Sequence, residues 1–345
     1  MAPQTKRPRS SSSSQAETSN KYPRTNPKPT PHDAIWFDDG SIVLATDVHL
    51  YRAHKSILAQ YFTVFKDMFD MPTGEEGFGD GGSVSAERWD GLLLVRMAGD
   101  SDEDVYHLLM TLYDREYHQK DKPTTLPIIL ALLNLGTKYD IAAIRREVIE
   151  HLSIYYPSEY ENWFSDYQPP LLKEDQGTPK DANFQLLAAA RRCNAGSILP
   201  MLFYSCAIEP LDKIFESMNL LDIKDFKNLI DGRENMLARW VSIFGKTVLR
   251  PEDKCQSQTC SDARIRMFSH RMYFEVEFPP EIFPLGAYTG ALRELGKGED
   301  YKNLCRSCVL KFHSCLPAFM FMFWEALPCI FRLCRWDDLP ESIDA

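Results

Sequence analysis

The segment YRAHKSILAQYFTVFKDMF, residues 51–69, places two overlapping apolar stripes on one short helical stretch. In each stripe the apolar residues recur at intervals of three or four, the spacing that puts side chains on one face of a helix. The stripes consist of Ile57, Tyr61, Phe65 and Met68, and of Leu58, Phe62, Phe65 and Phe69. Two apolar faces must be buried on most sides, so the segment predicts a buried helical hairpin.

Strand-like and helix-like segments surround this hairpin in a regular order. SIVLAT (41–46) is β-branched and apolar, HLYRAH (49–54) alternates, and LLLVRMAG (92–99) is a third strand candidate. Apolar periodicity predicts helices over residues 101–114, 125–140 and 141–156, the first with a serine cap and acidic first turn. Residues 35–155 are therefore predicted to form an α+β domain, a small sheet with a helical cluster.

The first 33 residues have a different composition from the rest of the chain. They are rich in Ser, Pro, Lys and Arg, and too poor in apolar residues to offset the entropy of ordering, so residues 1–33 are predicted to be disordered. Residues 1–30 carry a net charge of +5, which leaves about −15 for the remainder of a chain whose total is −10. The basic tail is compatible with a nuclear-import signal or a solubilising tail, and the acidic body disfavours nucleic-acid binding.

A turn-rich acidic stretch at 156–180 predicts a linker before a mostly helical region at 181–345. The most apolar run in that region, LPAFMFMFWEALPCIF (316–331), is shorter than the roughly 20 residues of a membrane-spanning helix. Pro317, Glu325 and Pro328 interrupt it further. The run therefore predicts a buried core segment, and no membrane association is expected.

Nine cysteines, all between Cys193 and Cys334, occur in a chain without a recognisable signal peptide. We expect an intracellular, reducing environment, in the nucleus, the cytoplasm or both, where such residues are thiols or metal ligands.

Two cysteine pairs stand out by their spacing. Cys255 and Cys260 lie in a polar loop, and Cys305 and Cys308 open a helix. Together they could form a structural zinc site of four cysteines, with His313 and Cys315 as substitutes. The 44 residues between Cys260 and Cys305 exceed ordinary zinc-finger spacing, so reduced buried thiols remain the alternative.

His54 is the most chemically suggestive residue near the hairpin. General-base catalysis needs a nucleophile or an acid oriented toward the ring, and no neighbouring pattern supplies one. We predict a structural role for His54, binding backbone groups where strand meets helix. Leu58 and Phe65 are predicted core residues, and no catalytic or cofactor-binding residue is predicted.

The ordered motifs WFDDG, AHKSIL, LYDREYH and LGTKYDI resemble BTB/POZ domains of the type numerous in basidiomycete fungi. The resemblance covers residues 35–155 and implies a three-stranded sheet capped by helical hairpins. Phe62 departs from the pattern, because the family usually has a serine cap at the start of the second helix. Thr63, one residue later, could supply that cap.

The resemblance also implies a function in protein–protein association, usually homodimerisation. The interface implied by analogy uses the first strand and first helix, here Ile42, Val43, Leu44, Ile57 and Tyr61. Some members of the family recruit transcriptional co-regulators, and others are substrate adaptors that bind a cullin ubiquitin-ligase scaffold. The apolar-x-Glu motif of cullin binders is incomplete in MPTGEE (71–76), where Thr73 precedes Glu75.

These observations predict a non-enzymatic interaction module that dimerises and recruits an unidentified protein partner, with a role in transcriptional regulation. A cullin adaptor is the alternative within that class. An enzyme in the C-terminal half is the alternative of a different class, but the sequence contains no nucleophile elbow, metalloprotease pair or nucleotide loop.

Overall fold

The computed structural model describes residues 28–71, 87–163, 171–173, 179–250, 255–273 and 299–340. These residues form a small sheet and a larger helical part, which confirms the predicted α+β class. The strands are β1 (Thr30–Trp36), β2 (Ile42–Ala45), β3 (His49–Ala53), β4 (Arg88–Trp89) and β5 (Leu92–Arg96).

The sheet has five strands in the order β1-β3-β2-β5-β4. The β2–β3 and β4–β5 pairs are antiparallel, whereas β1 pairs with β3 and β2 pairs with β5 in parallel. Asp90 and Gly91 join β4 to β5 with positive φ angles of 48° and 79°. A two-residue turn with both angles positive matches strand twist, and Asp-Gly is a preferred sequence for it.

Strand β1 begins inside the segment predicted to be disordered. The prediction extended to residue 33, but β1 starts at Thr30 and lies along β3, with the Thr30 N–H donating to the Val48 carbonyl at 3.1 Å. Its polar sequence gives no apolar alternation, so the pairing strand supplies the order. The other residues of the predicted tail, 1–27, lie outside the described ranges.

Strand β2 is the central strand, and its burial corrects part of the predicted dimer interface. Ile42, Val43 and Leu44 are at most 1% exposed, because β3 and β5 flank the strand and side chains cover both faces. These three residues cannot touch a second copy unless the sheet opens. Burying such side chains stabilises the fold by about 1.5–3 kcal/mol each. Tyr61 is 40% exposed and Ile57 is half-buried, so both remain accessible.

The hairpin predicted from residues 51–69 is present as α1 (Lys55–Tyr61) and α2 (Thr63–Asp70). Leu58 and Phe65 are buried in the core, as predicted. Phe62, between the helices, is also buried and meets the Phe65 ring edge-to-face at 5.1 Å. The predicted Thr63 cap is wrong, because the Thr63 hydroxyl donates to the Asp140 carbonyl at 3.2 Å and no side chain caps α2.

Three helices complete the N-terminal half: α3 (Asp102–Tyr113), α4 (Leu126–Lys138) and α5 (Ala142–Ser153). The Ser101 hydroxyl accepts the Asp104 N–H at 3.0 Å and caps α3, whose acidic first turn complements the helix dipole. The α4 helix is buried on most sides, which explains its nearly continuous apolar sequence.

The remaining described helices are α6 (Tyr160–Trp163), α7 (Ala182–Arg192), α8 (Leu199–Ala207), α9 (Leu211–Glu216), α10 (Ile223–Leu249), α11 (Gln258–Tyr273), α12 (Glu299–Lys302) and α13 (Arg306–Ile330). One buried apolar cluster extends from Ile35 to Phe331, across the acidic stretch at 156–180. The Cys193 thiol approaches the Leu133 carbonyl at 3.3 Å, and Arg145 donates to the Cys193 carbonyl at 2.7 Å. The two halves therefore share a core.

The C-terminal half is held together where α10 meets the end of α13. Phe331 is fully buried and stacks on Phe203 of α8, with ring centroids 5.2 Å apart. It also lies so close to Gly232 of α10 that a Cβ at that position would be 2.2 Å from the ring. Glycine is thus required there by the close approach of the aromatic ring.

The predicted core segment 316–331 lies in α13 and buries one face. The buried residues on it are Met320, Phe323, Trp324, Leu327 and Ile330, whereas Phe321 and Met322 are exposed. Within the described residues α13 is the one helix long and apolar enough to cross a membrane, and 27% of its most apolar window is buried. One such helix does not identify a membrane protein, because the core helices of soluble proteins can match it in length and composition.

Candidate metal centre

The four cysteines predicted as metal ligands are brought together by two helix starts. Cys260 lies in the first turn of α11 and Cys255 in the segment just before it, while Cys305 is the N-cap of α13 and Cys308 lies in its first turn. Cys260 and Cys305 are separated by 44 residues in the sequence, but α11 packs beside α12, which precedes α13, and this packing brings the two cysteine pairs together. All four sulfur atoms lie within 4.8 Å of one another.

The sulfur spacing suits a tetrahedral metal ion. Zinc–sulfur bonds of about 2.3 Å place the sulfurs of a four-cysteine site about 3.8 Å apart. The Sγ atoms of Cys255 and Cys305 are 3.8 Å apart. A hydrogen-bond donor of the kind that supports a metal-bound thiolate is also present. The Cys305 backbone N–H donates to the Cys260 sulfur at 3.0 Å.

A buried arginine lies beside the cluster. Arg264 is 7% exposed, and its Nη1 donates to the Cys308 sulfur at 3.4 Å. A buried guanidinium needs an anion, and thiolates supply one where neutral thiols do not. The Ser257 backbone N–H, together with the neighbouring thiols, lowers the pKa of Cys255 to about 7. The site therefore combines the sulfur spacing of a four-cysteine metal centre with a cation placed to balance a metal-bound thiolate.

The other cysteines and the suggested substitute ligands behave differently. Burial raises the pKa of Cys193 and, to a greater extent, that of Cys206, which makes these thiols inert. His313 contacts the Tyr301 hydroxyl at 2.5 Å, and neither His313 nor Cys315 belongs to the cluster. The described chain thus separates four clustered cysteines from five that have other surroundings.

His54, which follows β3, contacts a side chain of α3 and a carboxylate of the loop before β2. Its backbone N–H and its Nδ1 lie 3.0 and 3.1 Å from the Tyr113 hydroxyl. Its Nε2 lies 3.2 Å from the Asp39 carboxylate, and this hydrogen bond lowers the pKa of Asp39. The partners are side chains rather than the backbone groups that the sequence suggested.

A second polar network, centred on Asp102 at the start of α3, was missed by sequence reasoning. Its carboxylate contacts His49 Nδ1 at 2.6 Å, the Tyr51 hydroxyl at 2.9 Å and the Thr46 hydroxyl. Burial opposes ionisation, but these three hydrogen bonds outweigh it and lower the pKa of Asp102. The Thr46 hydroxyl lies within hydrogen-bond distance of both the Asp102 carboxylate and the His49 carbonyl, which share its one hydrogen. The network ties the β2–β3 hairpin to α3.

Two buried histidines lie next to each other, and one of them, His118, lines a cavity of about 570 Å³. The rings of His118 and His151 are 5.3 Å apart, and none of their four nitrogens has a hydrogen-bond partner among the described residues. A second cavity, of about 550 Å³, is lined by Arg191 and Asp225, which pair with each other. The lining of these two cavities contains no serine or cysteine nucleophile.

The histidine pair predicts a pH-dependent loss of stability. Burial lowers the pKa of His118 to about 4, with His151 contributing, and burial also lowers the pKa of His151 against the opposing charge of Asp121. A histidine in the unfolded chain has a pKa of about 6.5. Below that pH the unfolded chain binds protons that the buried rings do not, so the folded state loses stability as the pH falls. We expect the free energy of unfolding to fall by about 3 kcal/mol as pH drops from 6.5 to 4.

Urea denaturation at a series of pH values measures this loss. His118→Leu should flatten the pH dependence between 6.5 and 4, whereas His313→Leu, at an exposed position, should leave it unchanged. Identical pH profiles for the wild type and His118→Leu would show that the buried pair is not responsible.

Comparisons of this chain with protein-family models, with curated proteins and with solved structures gave no match. The functional argument therefore depends on the geometry of the chain itself and on the sequence motifs described above.

Proposed function

We propose that this protein is a non-enzymatic association module in which a BTB/POZ-like N-terminal domain dimerises and the helical half recruits a further protein. The observation that carries the proposal is an exposed apolar surface on the α1–α2 hairpin. Tyr61, Val64 and Met71 are 40%, 45% and 64% exposed there. These residues lie on two adjacent helices or at their ends, and exposed apolar side chains on neighbouring elements are typical of protein contacts. The resemblance of the sequence motifs to BTB/POZ domains supports the same reading.

The structure modifies the interface that analogy suggested. The hairpin surface, meaning Ile57, Tyr61, Val64 and Met71, replaces the buried residues of β2 as the proposed contact. A two-fold dimer built on one patch makes the same contacts from both copies, so one substitution removes two contacts.

Sedimentation equilibrium tests the dimer. We expect a mass of about 79 kDa, twice the 39.7 kDa of one chain. Val64→Glu should yield the single-chain mass, because two charges would be buried against an apolar surface. Ile223→Glu is the matched control, since Ile223 is 83% exposed at the start of α10 and outside the hairpin surface. A wild-type chain of 39.7 kDa at tens of micromolar, on the order of ordinary assay concentrations, would refute the proposal.

We further propose that Cys255, Cys260, Cys305 and Cys308 hold a structural zinc ion. Zinc would have four sulfur ligands and no open position, which is the arrangement of structural rather than catalytic sites. Its role would be to fasten the start of α13 to α11 and so to hold the helical half in a shape that a partner can recognise. The buried Arg264 supports this proposal, because a metal-bound thiolate at Cys308 would balance the charge of its guanidinium.

A cullin adaptor function has no separate structural support here. The MPTGEE segment on which it depends lies at residues 71–76, and residues 72–76 are outside the described ranges. A pull-down with a purified cullin distinguishes the two forms of the proposal. Nuclear localisation, proposed from the basic residues at 1–30, is tested by imaging the chain with and without them.

A further inference from the structure

The four clustered sulfurs differ in their access to solvent. Cys260 and Cys308 are 1% and 5% exposed, whereas Cys255 and Cys305 are half-buried. The sulfur atoms of these two more exposed residues are 3.8 Å apart, and the residues come from different segments, the loop before α11 and the cap of α13. A small oxidant would therefore meet the side chains of Cys255 and Cys305 first.

We propose, on the assumption that the zinc centre proposed above exists, that hydrogen peroxide converts Cys255 and Cys305 to a disulfide and thereby releases the metal. The sulfurs would move about 1.8 Å closer to reach a bond length of about 2.05 Å, a small change for a loop residue and a cap residue. Only Cys260 and Cys308 would then remain as zinc ligands, whereas a closed zinc site has four.

The chemistry balances with peroxide as the oxidant. The Cys255 thiolate attacks one peroxide oxygen, which forms a sulfur–oxygen bond, breaks the oxygen–oxygen bond and releases hydroxide. The Cys305 thiolate then attacks the Cys255 sulfur, which forms the disulfide and releases a second hydroxide. The two sulfurs together lose two electrons, and the two peroxide oxygens gain them.

Loss of the metal would convert an oxidant signal into a structural change. The ion would no longer hold α11 against the start of α13. The disulfide would link only Cys255 to Cys305 and would leave Cys260 and Cys308 unlinked. The surface of the helical half would change, while the hairpin surface on α1 and α2 lies on other elements. Peroxide would thus alter partner recognition without dissociating the dimer.

Two measurements on the unaltered, metal-loaded chain test this inference. A chromogenic zinc chelator reports release after peroxide treatment, and mass spectrometry of non-reduced peptides identifies the disulfide. We expect one Cys255–Cys305 disulfide for each ion released, with recovery after dithiothreitol and added zinc. The Cys329→Ser/Cys334→Ser double variant, which removes two exposed thiols outside the cluster, should release metal in the same way.

The failures are distinguishable. A purified chain without metal, even after zinc is added to the reduced protein, would overturn the centre itself. A loaded chain that keeps its metal in peroxide, or that forms a Cys260–Cys308 bond, would overturn the oxidation step and leave the centre intact. Loss of release in the double variant would assign the reaction to other thiols and refute the proposal.

Discussion

Purified protein is expected to contain about one zinc ion per chain, and removing that ion should unfold the helices that the four cysteines join. The apparent binding free energy of structural zinc is about 10–16 kcal/mol at neutral pH. A domain is stable by only about 5–15 kcal/mol in total. Circular dichroism should therefore show a loss of helix and a lower melting temperature after chelation, reversed by zinc.

A pair of substitutions separates metal binding from thiol chemistry in general. Cys260→Ser removes a buried ligand and should reproduce the chelated state, because oxygen is a poorer ligand than thiolate in a sulfur site. Cys329→Ser changes an exposed cysteine outside the cluster and should leave zinc content and melting temperature unchanged. If chelation leaves both helix content and melting temperature as they were, the cluster is only a group of thiols.

Phe331→Ala is expected to cost about 3–5 kcal/mol of unfolding free energy, the range for deleting a buried phenylalanine ring. The ring is fully buried, stacks on Phe203 and fills the space over Gly232. Phe321→Ala removes the same ring from a site that is 46% exposed and should cost much less. Urea unfolding at neutral pH measures both.

A second substitution tests the contact itself. Gly232→Ala should also destabilise the protein, because the new methyl group would overlap the Phe331 ring. In the background of Phe331→Ala that overlap is gone, and alanine favours a helix over glycine by about 1 kcal/mol. The same substitution should then be neutral or stabilising. Additive losses in the double variant would mean that the two sites do not interact.

The parts of the fold that sequence could predict are those controlled by local periodicity. The spacing of Leu58 and Phe65 predicts the buried hairpin because three- and four-residue intervals identify a helix face without any knowledge of the partner. Strand β1 was not predicted, because its order comes from parallel pairing with β3, a contact with no local signature. The Asp90–Gly91 turn was available in the sequence as a hairpin signal and could have revealed β4.

The candidate site was predictable in identity but not in geometry. Pair spacing marked Cys255, Cys260, Cys305 and Cys308 correctly as a group that the fold brings together. The sequence could not show whether the two distant cysteine pairs meet in the fold, because that depends on helix packing between segments far apart in the chain. Arg264, which supplies the charge argument, had no sequence signal, since its burial depends on the same packing. The network at Asp102 was missed for a similar reason, because its partners are about 50 positions away.

The shared core has a consequence for how this chain can be divided. The α4 helix is covered partly by α7, and Arg145 and Cys193 bind each other's segments across the acidic stretch. A fragment ending near residue 155 would leave the apolar face of α4 in water. The N-terminal half is therefore not an independent folding unit in this protein, and duplication or fusion of that half in evolution would have to carry α7 with it.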